Sequence, residues 1–199
     1  MFMPHVRESY EDLARACSGA DLLVTHPLTF AGPLLAQKTG LAWASTALSP
    51  MTLFSAIDPS QFPAAPWMLW VRKLGVTPYR WIFSIPRAMV WRWEQPLREF
   101  RAELGLPATD VIAQFEGQFS PRLHLALFPG LLAAPQPDWP ASTVVCGFPR
   151  YDGTPPDSRT RAELEAFLAA GEPPIVFGLG SSAVMVAGDF WHAAIEAAG

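Results

Sequence analysis

The sequence predicts an α/β protein built on a parallel sheet. Residues 20–48 read as strand, helix, strand: an apolar run through Leu22, Leu23 and Val24, a short apolar helix, then a second run ending at Ser49-Pro50. That order is the signature of a βαβ unit, whose two strands lie parallel. Near the C-terminus, Ile175, Val176 and Phe177 form a β-branched and aromatic run, followed by a small-residue turn at Gly178, Gly180, Ser181 and Ser182. A helical pattern from about 187 to 198, with Phe190, Ala194 and Ala197 on one side, follows, so a second α/β unit starts here. Half the 199 residues are hydrophobic and 16% are charged, which supplies a core and argues against disorder.

The elements follow in order. Residues 8–17 have helical spacing, with Leu13 and Cys17 on one face. Residues 20–25 form a strand, with His26 and Pro27 just past its end. Residues 30–38 form a helix closed by Gly40, and 41–48 the next strand. Ligands of parallel sheets bind beyond the carboxyl ends of strands, so Thr25, His26, Thr46 and Ser49 stand on a functional rim. Residues 51–66 read as loop. The block 67–101 holds five of the eight tryptophans and seven of the fourteen basic residues, and Pro78, Pro86 and Pro96 divide it into short helices. It reads preferentially as helices capping an apolar cleft with arginines reaching outward; a membrane-surface or lipophilic-partner patch is the alternative. Strands are expected near 123–128 and 143–146. A helix capped by Ser158 carries Leu164, Phe167 and Leu168. The expected organisation is one α/β domain over 1–152, a linker at 153–157 and the start of a second domain at 158–199.

Composition excludes several classes. A net charge of −4 argues against a nucleic-acid surface. Cys17 and Cys146 are far apart and lack metal-ligand spacing, so they read as buried free thiols. No two histidines have metal-ligand spacing either, and no metal site is expected. With no leader pattern and no apolar run of about 18 residues, the expected location is cytoplasmic.

Two features carry chemistry. A strand, a glycine turn and a helix start at 175–190 would bring backbone N–H groups and a helix dipole to one point, a site for a phosphate-bearing ligand. The same pattern also describes a plain tight turn. Gly178-x-Gly180-x-x-Ala183 further fits the dinucleotide fingerprint, which requires a preceding strand. His26 reads either as an imidazole contacting substrate or as a hydrogen-bonded structural residue.

Six segments together resemble a family: ADLLVTHP at 20–27, WASTALSP at 43–50, FEGQFSP at 115–121, PQPDWP at 135–140, GFPRYD at 147–152 and GEPPIVFGLGSS at 171–182. In order and content they resemble bacterial nucleotide-sugar glycosyltransferases of the GT-B type, the group that includes macrolide and rhamnolipid enzymes. The resemblance implies two Rossmann-like domains, the first taking the acceptor and the second the nucleotide sugar. It implies that 1–152 is the later part of the acceptor domain and that 158–199 opens the donor domain. The family's base histidine would precede Met1 and its donor signature would follow Gly199, so no catalytic residue is assigned and no turnover by this chain alone is expected. His26 occupies the place where many relatives carry an aspartate that orients the base. It is therefore read, with Thr25, Trp67 and Trp70, as lining the acceptor cleft. Gly180, Ser181 and Ser182 are implied to face the donor's diphosphate or sugar. The nucleotide sugar is a co-substrate, and no cofactor is expected. The acceptor is expected to be small and hydrophobic, and peripheral membrane contact is a further expectation. Two other functions stay open: a nicotinamide-dependent oxidoreductase using the glycine turn, and a non-catalytic module binding a lipophilic ligand or a partner.

Overall fold

The structure is a computed structural model that describes residues 5–60, 67–151, 153, 157–180 and 183–198. The chain divides into two compact units, Met1–Pro149 and Arg150–Gly199.

The first unit holds a four-stranded parallel sheet in the order β1 (Leu22–Thr25), β2 (Ala42–Ala47), β3 (His124–Ala126), β4 (Thr143–Val145). Helix α1 (Val6–Ala16) precedes β1, and α2 (Ala31–Thr39) connects β1 to β2. Gly40 ends α2 at φ 76°, a left-handed conformation that glycine adopts without strain. Between β2 and β3 lie a 3₁₀ turn (Pro50–Leu53), α3 (Met68–Arg72), α4 (Val76–Trp93), α5 (Gln95–Glu103) and a single π turn (Ala113–Gly117).

Side chains alternate across the sheet. The register sets Leu23 beside Trp43, Ser45 beside His124, and Ala47 beside Ala126, so these residues share one face. The helices cover that face. Leu35 and Ala36 of α2 meet Leu23 and Trp43, and Val6 of α1 meets Leu34, Leu97 and Phe100. Ala47, Ala126, Phe128, Leu53 and Trp139 close the core at the other end. The opposite face presents Leu22, Val24 and Val144, each about half exposed (54, 52 and 49%).

A polar seam crosses the covered face. The Ser120 N–H donates to Ser45 Oγ (2.7 Å), and the same oxygen is hydrogen-bonded to His124 Nδ1, also at 2.7 Å. The Ser120 hydroxyl donates to the Trp43 carbonyl (2.6 Å), and Ser142 Oγ donates to the Ser120 carbonyl (2.7 Å). Burial pushes His124 down to about 4, so it is neutral near pH 7.

The second unit holds α6 (Ser158–Ala169), a 3₁₀ turn (Ala183–Val186) and α7 (Phe190–Ala198). Asp157, one residue before the expected Ser158, caps α6 by accepting from the Arg159 and Thr160 N–H groups; a carboxylate is favoured there by the helix dipole.

Four sequence expectations need correction. Pro86 does not divide the 67–101 block. Helix α4 runs through it, because Tyr79 and Val90 anchor it to buried clusters on either side of the lost hydrogen bond. Residues 175–177 belong to no strand. The described residues of this unit hold no other strand to pair with, and Ile175 and Val176 are exposed. The helix expected from 187 begins at Phe190. The thiols are not buried: Cys17 is half-buried and Cys146 exposed.

Candidate functional site

The site is built where β1 ends. After Thr25 the chain turns tightly, with Thr29 N–H donating to the His26 carbonyl (2.9 Å) and Gly32 N–H to the Thr29 carbonyl (3.0 Å). This turn lays the start of α2 directly on the strand end. A Cβ on Gly32 would stand 2.5 Å from Thr25 Cγ2, so only glycine allows the approach. The Trp43 indole donates to Thr25 Oγ1 (2.8 Å) and fixes that side chain. His26 is exposed at the rim. Its Nδ1 accepts from the Leu28 N–H (3.1 Å), so the neutral ring carries its proton on Nε2 and presents a donor outward.

Two cavities of this unit share a wall. The first, about 360 Å³, is bounded by Thr25, His26, Trp43, Leu97, Arg98 and Val111 among others. Glu94 lines it and is buried between α4 and α5. Its two oxygens accept from the Ala113 and Gln114 N–H groups, each at 2.8 Å. Burial pushes its pKa up, against the pull of those N–H groups. The second cavity, about 730 Å³, has aromatic walls from Phe54, Tyr79, Phe83, Phe115 and Trp139. Phe115 meets Phe54 and Phe83 edge to face, at 4.8 and 5.3 Å between ring centres. Arg80, Arg87 and Asp138 add polar handles. Asp138 accepts from Ser55 Oγ (2.7 Å) and the Ala56 N–H (2.7 Å), which ties the loop after β2 to the loop before β4. Arg87 pairs with Glu116, and Glu116, Phe119 and Pro121 line both cavities.

This arrangement suits a bulky apolar guest with a few oxygens: large aromatic area supplies the affinity, and sparse polar groups set the orientation. Ser45 and His124 have the spacing of a nucleophile and its base, but both are fully buried and line neither cavity, so they hold the sheet together.

Of the residues singled out in the sequence, Thr25 and His26 line the first cavity. Trp67 and Trp70 line neither; they stand in solvent, 55 and 75% exposed. Gly180 is exposed in the second unit, and its carbonyl accepts from the N–H groups of Ala183 (2.9 Å) and Val184 (3.1 Å). Those two amides are therefore occupied rather than aimed at an anion. Ser181 and Ser182 lie outside the described residues. Glu94 and Asp138 were not singled out as site residues. Glu94 carried one local signal, its place just before Gln95-Pro96 at a helix start; Asp138 reads from sequence only as part of a proline-rich turn.

The fold and its cavities define a Rossmann-like α/β protein with an aromatic-walled cavity. Within that class the chain is a relative of bacterial glycosyltransferases. It is 33% identical over 193 residues to O-mycaminosyltylonolide 6-deoxyallosyltransferase of Streptomyces fradiae, a match covering 90% of this chain and 42% of that protein. It is 38% identical over 109 residues to glycosyltransferase GtfC of Amycolatopsis orientalis, covering 53% of this chain and 24% of that one. The chain thus spans less than half the length of these relatives. No family model matches it. The oxidoreductase alternative gains nothing from these relatives, and its fingerprint lacks the preceding strand it needs. No described helix is long and apolar enough to cross a membrane.

Proposed function

We propose that this chain carries the acceptor-binding part of a glycosyltransferase that moves a sugar from a nucleoside-diphosphate donor to a hydroxyl of a small hydrophobic acceptor. The observation that carries the reading is the 33% identity, along nearly the whole chain, to a protein named for deoxysugar transfer. The aromatic walls of the larger cavity support the hydrophobic acceptor. In this reading the acceptor's apolar body lies against Phe54, Phe83 and Trp139. His26 donates from Nε2 to an acceptor or donor oxygen; it does not take the acceptor proton, because that nitrogen already carries one. The base is therefore assigned to no residue of this chain. Gly180, Ser181 and Ser182 are assigned to the donor's diphosphate on the resemblance alone. The nucleotide sugar is a co-substrate, and the reading needs no resident cofactor or metal.

The test is direct binding. Hydroxylated macrocyclic and polycyclic aglycones are titrated against the 199-residue chain, following tryptophan fluorescence. The expected result is saturable quenching that needs no nucleotide. Ser84→Trp, which fills the larger cavity from its wall, should weaken that binding roughly tenfold. Unchanged affinity in the Ser84→Trp chain would remove this cavity from the proposal.

A further inference from the structure

We infer that the outer face of α4 is a docking surface for an anionic lipid bilayer. The helix has 18 residues, so it is about 27 Å long. Its inner face, Tyr79, Phe83 and Val90, packs into buried clusters. Its outer face carries Trp81, Ile85, Met89 and Trp93 at four-residue spacing, 81, 63, 51 and 64% exposed. These form one continuous apolar stripe, not scattered surface residues. Trp70 and Leu74, just before the helix, are exposed as well.

Charge decides the occupant. Residues 59–93 contain no Asp or Glu and five basic residues: Arg72, Lys73, Arg80, Arg87 and Arg92. Three carboxylates of neighbouring elements are already engaged: Asp58 by Arg72 (3.1 Å), Asp138 by Arg80 (3.9 Å) and Glu116 by Arg87. Glu94 is buried and turned toward the Ala113 and Gln114 amides. Among the described residues, Arg92 and Lys73 have no ion-pair partner; Arg92 lies in helical angle between Trp81 and Ile85, and Lys73 sits 5.4 Å from the centre of the Trp70 ring. An aromatic stripe with Arg92 in its midst, and Lys73 over the Trp70 ring just before the helix, suits lipid phosphates above and acyl chains below. A second copy of the chain docked through the same face would bring like charges together. Because Tyr79, Phe83 and Arg87 of the same helix line the larger cavity, a docked α4 would hold that cavity close to the lipid surface.

The test is co-sedimentation of the 199-residue chain with vesicles of phosphatidylcholine alone and of phosphatidylcholine mixed with phosphatidylglycerol. Binding to the anionic vesicles, weakened by added salt and accompanied by a blue shift of tryptophan emission, is expected. The variant Trp81→Ser/Ile85→Ser/Met89→Ser should bind at least about tenfold more weakly. Arg92→Glu should lose binding to the anionic vesicles specifically. Both variants change exposed side chains, and a retained cooperative unfolding transition shows that they fold. No partition into either vesicle, or equal partition of the triple variant, would overturn the inference. So would a wild-type dimer in sedimentation equilibrium that the triple variant abolishes, which would assign the face to a second copy.

Discussion

At the scale of single residues, burial rather than motif decides what each polar group does. His124 was unremarkable in the sequence, a histidine at a strand entry. The fold removes it from solvent entirely and pushes its pKa from 6.5 down to about 4. In the unfolded chain the same ring protonates as pH falls through 6.5. The unfolded state therefore binds the extra proton first, and stability is lost between pH 6.5 and 4. The loss attributable to this ring should reach about 3 kcal/mol. Urea unfolding at pH 7 and pH 4.5 measures it. The His124→Gln chain, whose amide can still hydrogen-bond to Ser45, should lose distinctly less over that interval; equal losses would put the pH dependence elsewhere. Gly32 gives a second test. Alanine would favour the helix by about 1 kcal/mol, but its Cβ collides with the Thr25 methyl, whose side chain is held by Trp43. Gly32→Ala should destabilise by about 1–3 kcal/mol. Adding Thr25→Ser, which deletes the colliding methyl, should recover most of that in the double-mutant cycle.

At the scale of elements, the sheet and its first crossover were legible because their signals are local: apolar runs of strand length, Gly40 after a helix, Ser49-Pro50 after a strand. The long 67–103 region was less so. Three prolines suggested breaks, yet Pro86 is carried inside α4 by buried neighbours that are far away in sequence. The 175–177 run shows the opposite failure. Its composition is that of a strand, but strandness is a property of pairs, and no described residue of that unit pairs with it. The cavities were invisible for the same reason, since their walls come from segments far apart in sequence, from Thr25 to Pro121 in the first and from Leu53 to Ser142 in the second. Glu94 is the clearest joint between such segments. It sits where α4 meets α5 and holds the Ala113–Gly117 turn by two hydrogen bonds. Glu94→Ala would leave two backbone N–H groups without acceptors, at a cost of about 3 kcal/mol. The loss should be local first: amide exchange at Ala113 and Gln114 should accelerate before the rest of the sheet does. Uniform acceleration would mean that Glu94 supports the whole fold rather than the cavity wall.

At the scale of the whole molecule, stability is unevenly distributed between the two units. The first holds almost every buried apolar side chain: the Leu23–Trp43, Val6–Phe100 and Phe128–Trp139 clusters all belong to it. In the second, Leu164, Phe167, Leu168, Ile175 and Val176 are all substantially exposed, and Ala194 is the buried hydrophobic residue among those described. A unit that buries so little apolar surface gains little to offset the entropy of ordering its chain. The polypeptide 1–149 should therefore unfold cooperatively in urea, with a stability within about 1 kcal/mol of the 199-residue chain. The polypeptide 150–199 should show helical signal without a cooperative transition. Limited proteolysis of the 199-residue chain should cut within 171–180 before it cuts in the sheet, because exposed backbone outside helices opens most readily. A 1–149 polypeptide that melts without cooperativity would mean that the exposed second unit contributes to the first one's stability, and the division of the core drawn from burial would be wrong. The half-exposed Leu22, Val24 and Val144 sharpen the same experiment, because a parallel sheet is ordinarily covered on both faces. If 1–149 is stable with that face open, the helices on the Trp43 face alone suffice to hold the sheet. Its self-association, followed by light scattering, should then fall when Leu22 and Val24 are both replaced by threonine, a strand-compatible residue that removes apolar surface and leaves the backbone ladder intact.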